Sequence, residues 1–398
     1  MAAAGEADPK MIRKSGNPVR PNWPEIVESQ GLGFHRAVHP EHLSRTYWDE
    51  SVHYEFEMDE VLHLETVVES LHQMCLEAVE HVVAENRFAD FGIPEWAVPA
   101  IRDSWRRTDP YLYGRFDLRY DGVNPPTLLE YNADTPTCLV EAAIVQWHWL
   151  QDTHPGADQW NSLHEQLIDQ WAALRPRLPD GLVHFAWTNE DETGEEALTT
   201  AYLQETAQQA GLPTQEIALE DIGWDYSASE FVDLEERAIT AAFKLYPWEW
   251  LIHDRFGPLI LQRLHGAPWV EPVWKMVLSN KALLAILWEL YPGHPNLLPA
   301  YLGDPGPLDT YIAKPLLGRE GASMRIVTPD GELERTAGDY GTEGYVFQQF
   351  QPLPEIEGWH PVLGTWVVGD TSAGLGIRET SSLITDDTSS FVPHLIRL

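Results

Sequence analysis

The chain has 398 residues, 43% of them apolar, and carries 26 Lys and Arg against 62 Asp and Glu, a formal net charge of −36. This length predicts two to three folding units or one large multi-lobed domain, and a field of this sign disfavours nucleic acid and anionic membranes as partners. Two cysteines, Cys75 and Cys138, exclude a disulfide framework and a four-thiolate zinc site. Because no long apolar run or secretory signal is found, we expect a cytoplasmic location.

The first half of the chain predicts helices and one pair of strands. Residues 1–22 are expected to form a flexible tail. Apolar residues at helical spacing predict an amphipathic helix over about 57–85. Residues 113–120 and 127–131 predict two short strands joined by a turn rich in Asp, Gly, Asn and Pro. Helical patterns resume over 139–150 and 161–174, and we expect His148 of the first to pack in the core.

The second half predicts a mixed α/β (α+β) fold. A buried strand at 182–187, a helix at 195–210 and a strand at 216–219 indicate an α/β region, because this order is typical of a parallel sheet. A helix is expected at 281–290. The last hundred residues alternate Gly-rich turns with short predicted strands at 311–314, 324–328, 345–349, 362–368 and 374–377.

The strand pair carries the first candidate site. Side chains on a strand alternate faces, so Arg115 and Asp117 point the same way, as do Glu130 and Asn132. If the strands pair as a hairpin, one face gathers two carboxylates, an amide oxygen and a guanidinium. Such hard oxygen ligands suit Mg²⁺. A solvated strand face with a surface ion pair is the alternative.

A glycine-containing loop follows Lys314 and runs to Ser323. Glycines let backbone N–H groups approach phosphate oxygens, and a lysine adds positive charge. No Gly-Lys-Ser/Thr follows, so a hairpin-type flap over a nucleotide fits better than a Walker loop. An ordinary hairpin turn is the alternative.

Two further segments hold charged side chains with less defined roles. Arg378, in a glycine-containing strand, can stabilise a transferred phosphoryl group or form a surface pair with Glu379. The acidic run from Glu190 to Glu196 opens a helix, where the helix dipole favours carboxylates. A cation-binding mouth is the other interpretation of this run.

Taken in order, these segments resemble the glutathionylspermidine synthase family, which belongs to the ATP-grasp ligases. The resemblance covers about residues 20–398 and is carried by Arg115-Phe116-Asp117, Leu129 to Thr137, Trp274-Lys275 with Ser279 to Ala282, Lys314-Pro315 with Gly318 to Ala322, Gly376 to Glu379, and Ser390 to His394. Two departures stand out. The chain has no room for the amidase of bifunctional members, so the expected activity is synthetic only. Cys138 stands where a serine is common in relatives.

The resemblance implies an ATP-grasp fold, with nucleotide-binding lobes at about 270–398 and 100–150 and a substrate-binding part at about 180–260. It implies metal ligands at Asp117, Glu130 and Asn132, and catalytic arginines at Arg115 and Arg378. For ATP it implies Lys275 and Lys314 at the phosphates, Gly318, Glu320, Gly321 and Ala322 in the flap, Gln348 and Gln349 on the adenine-contacting strand, and Leu383. For substrates it implies Asp134, Thr135 and Thr137 at the acid and Glu195 and Glu196 at the amine.

The expected reaction is an ATP- and Mg²⁺-dependent joining of a small-molecule carboxylate to an amine through an acyl phosphate. Two alternatives stay open: an ATP-dependent kinase of a small acid, and a catalytically degenerate nucleotide-binding or scaffold protein. A cationic amine, such as a polyamine, is favoured by the acidic balance, but the acid and the amine are not identified by the sequence.

Overall fold

The computed structural model describes residues 11–36, 46–190 and 193–397. Within these residues the helices are α1 Trp23–Ser29, α2 Met58–Ala84, α3 Val98–Arg106, α4 Gln146–Thr153, α5 Leu163–Leu174, α6 Glu195–Gln209, α7 Trp248–Leu251, α8 Gly257–Arg263 and α9 Leu283–Leu290. The strands are β1 Ile12–Ser15, β2 Val52–Phe56, β3 Tyr113–Arg119, β4 Thr127–Asn132, β5 Val183–Trp187, β6 Thr214–Ala218, β7 Gly223–Asp225, β8 Glu230–Val232, β9 Ala241–Lys244, β10 Trp269–Val270, β11 Ala300–Leu302, β12 Tyr311–Pro315, β13 Arg325–Thr328, β14 Gly331–Arg335, β15 Tyr345–Gln349, β16 His360–Val368, β17 Thr371–Thr380, β18 Ser390–Val392 and β19 His394–Ile396.

Two five-stranded antiparallel sheets carry most of the predicted chemistry. The central sheet has the order β18-β17-β16-β3-β4, and the flap sheet has the order β11-β15-β12-β13-β14. The predicted β3–β4 hairpin is confirmed, and its turn is fixed by Asp121, whose carboxylate accepts the backbone N–H groups of Val123 and Asn124. The predicted strands that follow residue 310 are also confirmed.

A four-stranded parallel sheet, ordered β10-β9-β5-β6, forms the predicted α/β region. Helix α6 connects β5 to β6 and packs against both strands and α5. Phe185 on β5 and Phe243 on β9 stack at 5.3 Å, and Trp171 of α5 packs on both rings. These aromatic contacts pack helix α5 against one face of the parallel sheet.

Helix α2 confirms the long amphipathic helix. Its first turn is closed by a capping box between Glu57 and Glu60, and its apolar side is buried against β16, β17 and α9. The predicted helix at 139–150 is confirmed, and a π-helical turn at Glu141–Val145 interrupts it before α4. His148 is exposed on α4, so the prediction that it packs in the core is wrong. No helix of the described residues is long and apolar enough to cross a membrane.

The predicted flexible tail contains an ordered strand. Residues 1–10 lie outside the described residues, but Ile12–Ser15 forms β1, which pairs with β2 in a small sheet completed by β19. Arg13 of this strand donates to Glu379 at 2.6 Å, and the side chains are 4% and 0% exposed. Tyr54 also donates to Glu379 at 2.6 Å. These contacts join the start of the described chain to β17 of the central sheet.

We predict that Arg13→Met destabilises the fold by about 3 kcal/mol, because it removes the guanidinium partner of a fully buried carboxylate. Urea unfolding of both proteins measures this loss. Lys14→Met is the matched control: its side chain is 47% exposed and only 3.9 Å from Glu55, so a change of at most about 0.5 kcal/mol is expected. Equal stability of the Arg13 and Lys14 variants would contradict the prediction.

Candidate active site

One cavity lies between the central sheet and the flap sheet, and residues of both sheets line it. From the central sheet it receives Arg115 and Asp117 on β3, Glu130 and Asn132 on β4, and Arg378 on β17. Its wall on the flap sheet includes Lys314 on β12 and Gln348 and Gln349 on β15. Among the described residues, five basic side chains (Arg115, Lys281, Lys314, Arg319 and Arg378) and five acidic ones (Asp117, Glu130, Asp134, Glu249 and Glu320) line it.

The register of the β3–β4 hairpin brings the predicted oxygen ligands together. Arg115 lies opposite Asn132, and Asp117 lies opposite Glu130. All four side chains therefore share one face, as the alternation of strand side chains requires. The register shifts directly after this group, between Asp117 and Leu118, as at a β-bulge.

Asp117 lies between two arginines. Arg115 donates to its carboxylate from Nε at 2.8 Å and from Nη2 at 3.2 Å, and Arg378 donates from Nη2 at 2.6 Å. Arg115 also donates to the carbonyl oxygen of Thr137 at 2.6 Å. The hydrogen bonds thus fix both guanidinium groups beside a carboxylate that is 5% exposed.

Glu130 forms an ion pair with Lys281 and lies within the electrostatic influence of Lys314. Its carboxylate is 3.0 Å from Lys281 Nζ, and Asn132 donates to its other oxygen at 3.2 Å. Burial alone would raise the pKa of Glu130, but the ammonium groups of Lys281 and Lys314 outweigh it and hold that pKa far below its usual range. Glu130 is therefore ionised at neutral pH and able to bind a cation.

Lys314 sits at the end of β12 with its ammonium inside the cavity wall. It donates to the carbonyl oxygen of Leu129 and to Gln348 Oε1, each at 2.8 Å. Burial lowers the pKa of Lys314 to about 8; the nearby Lys281 adds to this effect, and Glu130 opposes it. The charge of this lysine is therefore easily changed by what enters the cavity.

The loop at 316–324, here called the flap, joins β12 to the antiparallel β13, and part of it lines the cavity. Gly318, Arg319, Glu320 and Gly321 line the cavity, whereas Ala322 does not. A Cβ at Gly321 would lie 2.4 Å from the carbonyl oxygen of Thr385, and its φ is +69°. Only glycine lets this loop approach the segment at 383–385 so closely. Leu383 of that segment also lines the cavity.

Arg319 ties the flap to the opposite wall. It donates from Nη1 to Thr135 Oγ1 at 3.0 Å and from Nη2 to Glu249 at 2.9 Å, and it lies 5.0 Å from the ring centre of Trp250. Its Nε, like Thr385 Oγ1, is buried and has no hydrogen-bond partner within the described part of the chain. Two polar atoms on residues that line the cavity are therefore left to a ligand or to water.

Lys275 lies elsewhere. It is 1% exposed, donates to the carbonyl oxygen of Tyr113 at 2.6 Å and forms a 2.5 Å ion pair with Glu271. Lys275 is absent from the cavity lining, whereas Lys281, six residues later, reaches Glu130 there. Lys275 lies in the one-turn 3₁₀ segment at Val273–Met276, and Lys281 lies beyond the end of that segment.

The predicted substrate residues divide into two places. Asp134, Thr135 and Thr137 line the cavity directly after β4. Glu195 and Glu196 do not line it; they open α6, where Glu195 accepts the backbone N–H of Cys138 at 3.4 Å. Beside them, Cys138, Glu141 and Glu195 offer three ligand atoms within 4.8 Å of one another. Burial raises the pKa of Cys138 to about 11 and that of Glu141 above its usual range, so both groups favour their protons.

Sequence reasoning did not assign three of the charged residues in the cavity. Lys281 and Arg319 lie within two of the motifs that carry the family resemblance. A basic side chain inside such a motif is the signal that could have identified both residues. Glu249 had no such signal, because it lies on α7, outside those motifs, and only the tertiary fold brings it to the cavity.

The chain is similar to known proteins in both sequence and structure. The model of the glutathionylspermidine synthase preATP-grasp family matches residues 14–397. A Haemophilus influenzae protein named "Putative acid–amine ligase" is 39% identical over 396 residues, which cover 96% of this chain and 99% of that protein. The bifunctional glutathionylspermidine synthetase/amidase of Escherichia coli is 29% identical over 357 residues, covering 82% of this chain and 56% of that protein.

A solved structure shows the same overall fold at low sequence identity. The glutathione synthetase-like effector of Globodera pallida, in its apo form, matches with a TM-score of 0.55 and 9% identity, over 96% of this chain and 100% of that one. The family match spans nearly the whole sequence and confirms the resemblance found in its motifs. The chain therefore belongs to the glutathionylspermidine synthase family and is a ligase that forms C–N bonds.

Proposed function

We propose that this protein has an ATP-grasp fold and joins a small-molecule carboxylate to an amine at the expense of ATP, through an acyl phosphate. One observation carries the proposal: a single cavity between two antiparallel sheets combines five basic side chains, paired oxygen ligands and a glycine-containing flap. Such a cavity suits a polyanion that must be held, neutralised and shielded from water. ATP is the polyanion that the family membership supports.

The oxygen ligands fit magnesium. Asp117, Glu130 and Asn132 lie on one face of adjacent strands, and Glu130 stays ionised beside two lysines. Carboxylate and amide oxygens are the donors that Mg²⁺ accepts, together with phosphate oxygens of a substrate. When bound there, Mg²⁺ neutralises phosphate charge and lowers the cost of adding a nucleophile to the terminal phosphoryl group.

The basic side chains divide the remaining work. Lys314 and Lys281 hold the phosphates, and Lys281 takes the place first expected for Lys275. Arg115 and Arg378 face the transferred phosphoryl group, where charge develops in the transition state. The flap from Gly318 to Gly321 covers the nucleotide and excludes water, which would otherwise hydrolyse the acyl phosphate.

The reaction has two steps. A carboxylate oxygen of the acid bonds to the γ-phosphorus, the bond to the β-phosphate oxygen breaks, and ADP leaves. The amine nitrogen then bonds to the carbonyl carbon, phosphate leaves with the C–O bond electrons, and the amine loses a proton to solvent. No covalent bond to the protein is formed, so the chain contributes binding, orientation and charge stabilisation. Thr135 and Thr137, which line the cavity and accept hydrogen bonds from Arg319 and Arg115, bind the acid in this proposal.

The test is ADP formation by the purified chain with Mg²⁺, ATP and pairs of acids and amines, starting with glutathione and spermidine because the Escherichia coli relative is named for them. Mass spectrometry of the products identifies the amide. ADP formation that depends on both substrates supports the ligase. ADP formation without an amine, together with a phosphorylated acid as a stable product, supports an acid kinase instead. ATP binding without any turnover across the panel contradicts the proposal.

We predict that Arg378→Ala lowers kcat on the order of 100-fold, because it removes charge stabilisation at the transferred phosphoryl group. The Kd for ATP–Mg²⁺, measured by calorimetry, should rise less than about threefold. Arg335→Ala, which removes an arginine whose side chain is 59% exposed on β14, is the control and should leave both constants unchanged. Equal losses in turnover and ATP binding for Arg378→Ala would refute the assigned role.

We predict opposite outcomes for the two lysines. Lys281→Met should weaken ATP–Mg²⁺ binding about 10- to 100-fold, because a charged hydrogen bond to phosphate is lost. Lys275→Met should lower the free energy of unfolding by about 3 kcal/mol, because it leaves Glu271 buried without its ion pair, while the Kd for ATP changes less than about twofold. Calorimetry and urea unfolding measure both quantities. The reverse pattern would restore Lys275 as the phosphate lysine.

We predict that ATP binding takes up protons above pH 8. In the protein without nucleotide, Lys314 has a pKa of about 8, so its side chain is largely neutral at pH 8.5. Phosphate favours the ammonium form and raises this pKa, so binding draws up to about one proton from the buffer and the affinity falls as the pH rises. Calorimetry at pH 8.5 in two buffers of different ionisation enthalpy measures the uptake. Lys314→Met should abolish it; the same uptake in that variant would exclude Lys314 as its source.

A further inference from the structure

A closed polar ring lies at one edge of the cavity. The backbone N–H of Trp248 donates to Asp134 Oδ2 at 2.8 Å, and Arg319 donates to both Glu249 and Thr135. Because Asp134 is bonded covalently to Thr135 and Trp248 to Glu249, these five residues form a continuous loop of bonds. This polar ring joins the segment just after β4, the start of α7 and the flap.

Lys244 holds the polar ring through its ion pair with Asp134. It is the last residue of β9 in the parallel sheet, and its Nζ is 2.6 Å from Asp134 Oδ1. The side chains of Lys244 and Asp134 are 0% and 1% exposed. The ammonium also lies 4.8 Å from the ring centre of Trp248, within reach of a cation–π contact. Lys244 does not line the cavity itself.

Both oxygens of Asp134 are already engaged, one by Lys244 and one by the Trp248 backbone. A substrate would have to break a buried ion pair to bind this carboxylate. Asp134 is therefore poorly placed to be the ligand of the acid substrate that the sequence suggested. Its bonds instead fix the start of the segment that carries Thr135 and Thr137 into the cavity.

Removing the Lys244 charge would change where Asp134 finds its partner. A buried carboxylate without a cation is costly, and it either protonates or moves to another charge. Arg319 is the nearby alternative partner for Asp134, since the charges of Glu249 and Asp134 both raise the pKa of its guanidinium. A competition between the two carboxylates for Arg319 would pull the flap arginine away from Thr135 and Glu249.

We propose that Lys244 is a positioning residue, which acts through Asp134 to hold the polar ring and thereby sets the flap arginine against the substrate segment at 134–137. The inference rests on the proposed function for its kinetic part. Under this proposal the parallel sheet aligns the flap through Lys244, although this sheet supplies little of the cavity wall. It also changes Asp134 from a substrate ligand into the partner through which that alignment is passed.

The test compares Lys244→Met with the double variant Lys244→Met/Asp134→Asn in the full chain. In Lys244→Met, kcat/KM for the acid should fall about 100-fold, the scale expected for a misplacement of about 1 Å, while the Kd for ATP–Mg²⁺ changes less than about threefold. Amide hydrogen exchange over 316–324 should become about tenfold faster in the absence of ligands. In the double variant the Asn oxygen still accepts the Trp248 N–H and no buried charge is left, so at least about tenfold of the activity should return.

Arg20→Met is the matched control, because it breaks another buried ion pair, with Glu50 at 2.9 Å, away from the cavity. For Arg20→Met we expect a loss of stability comparable to that of Lys244→Met. Its kcat/KM and its amide hydrogen exchange over 316–324 should both stay unchanged. If Lys244→Met fails to fold, the double variant decides alone: activity within about tenfold of the natural chain supports the proposal, and a 100-fold loss overturns it.

Two further results would also overturn the proposal: unchanged kinetics and flap exchange in Lys244→Met, or a double variant no better than the single one. If the natural chain forms no ADP with any substrate pair, the proposed function fails. The exchange measurement over 316–324 then tests the role of Lys244 by itself, so the two failures are distinguishable.

Discussion

The structure depends on the compensation of buried charge around one cavity. The chain as a whole carries a formal charge of −36, yet the cavity lining described here contains as many basic as acidic side chains. Each cation is held by a carboxylate, a carbonyl or an amide: Arg115 and Arg378 by Asp117, Lys281 by Glu130, Lys314 by Gln348 and Arg319 by Glu249. A buried charge is tolerated only when it is paired in this way.

This pairing explains how five basic side chains of the described residues can gather around one cavity. The basic side chains that we propose to bind phosphates would repel one another if no carboxylates stood between them. The pKa of Lys314 is lowered mainly by burial and further by the nearby Lys281, while Glu130 opposes both effects. The carboxylates that separate them, Asp117 and Glu130, are the groups that suit a divalent cation. The same charges therefore stabilise the fold and, after a change of partners, suit the nucleotide and metal ion that we propose for this site.

The three sheets contribute different parts of this arrangement. The central sheet supplies the oxygen ligands and two arginines from adjacent strands, and the flap sheet supplies Lys314, the glutamines and the flap itself. The parallel sheet lies behind the cavity wall and contributes its buried Lys244 through Asp134. Burial also fixes Arg13 to Glu379, next to Arg378, so even the first described strand is connected to the sheet that carries the site.

The sequence by itself determined the features that depend on local order. Alternation along β3 and β4 was enough to collect Arg115, Asp117, Glu130 and Asn132 on one face, and helical spacing was enough to find α2. The order of the motifs identified the family. Local patterns could not determine which of two nearby lysines reaches the cavity, because Lys275 and Lys281 differ only in what the rest of the fold packs around them. Lys275 pairs with Glu271 only four residues before it, but tertiary packing buries both side chains and keeps them out of the cavity. Only the tertiary structure decided that Lys281 meets Glu130, that Glu249 meets the flap and that Asp134 turns to Lys244, since each of these three pairings joins residues far apart in the chain.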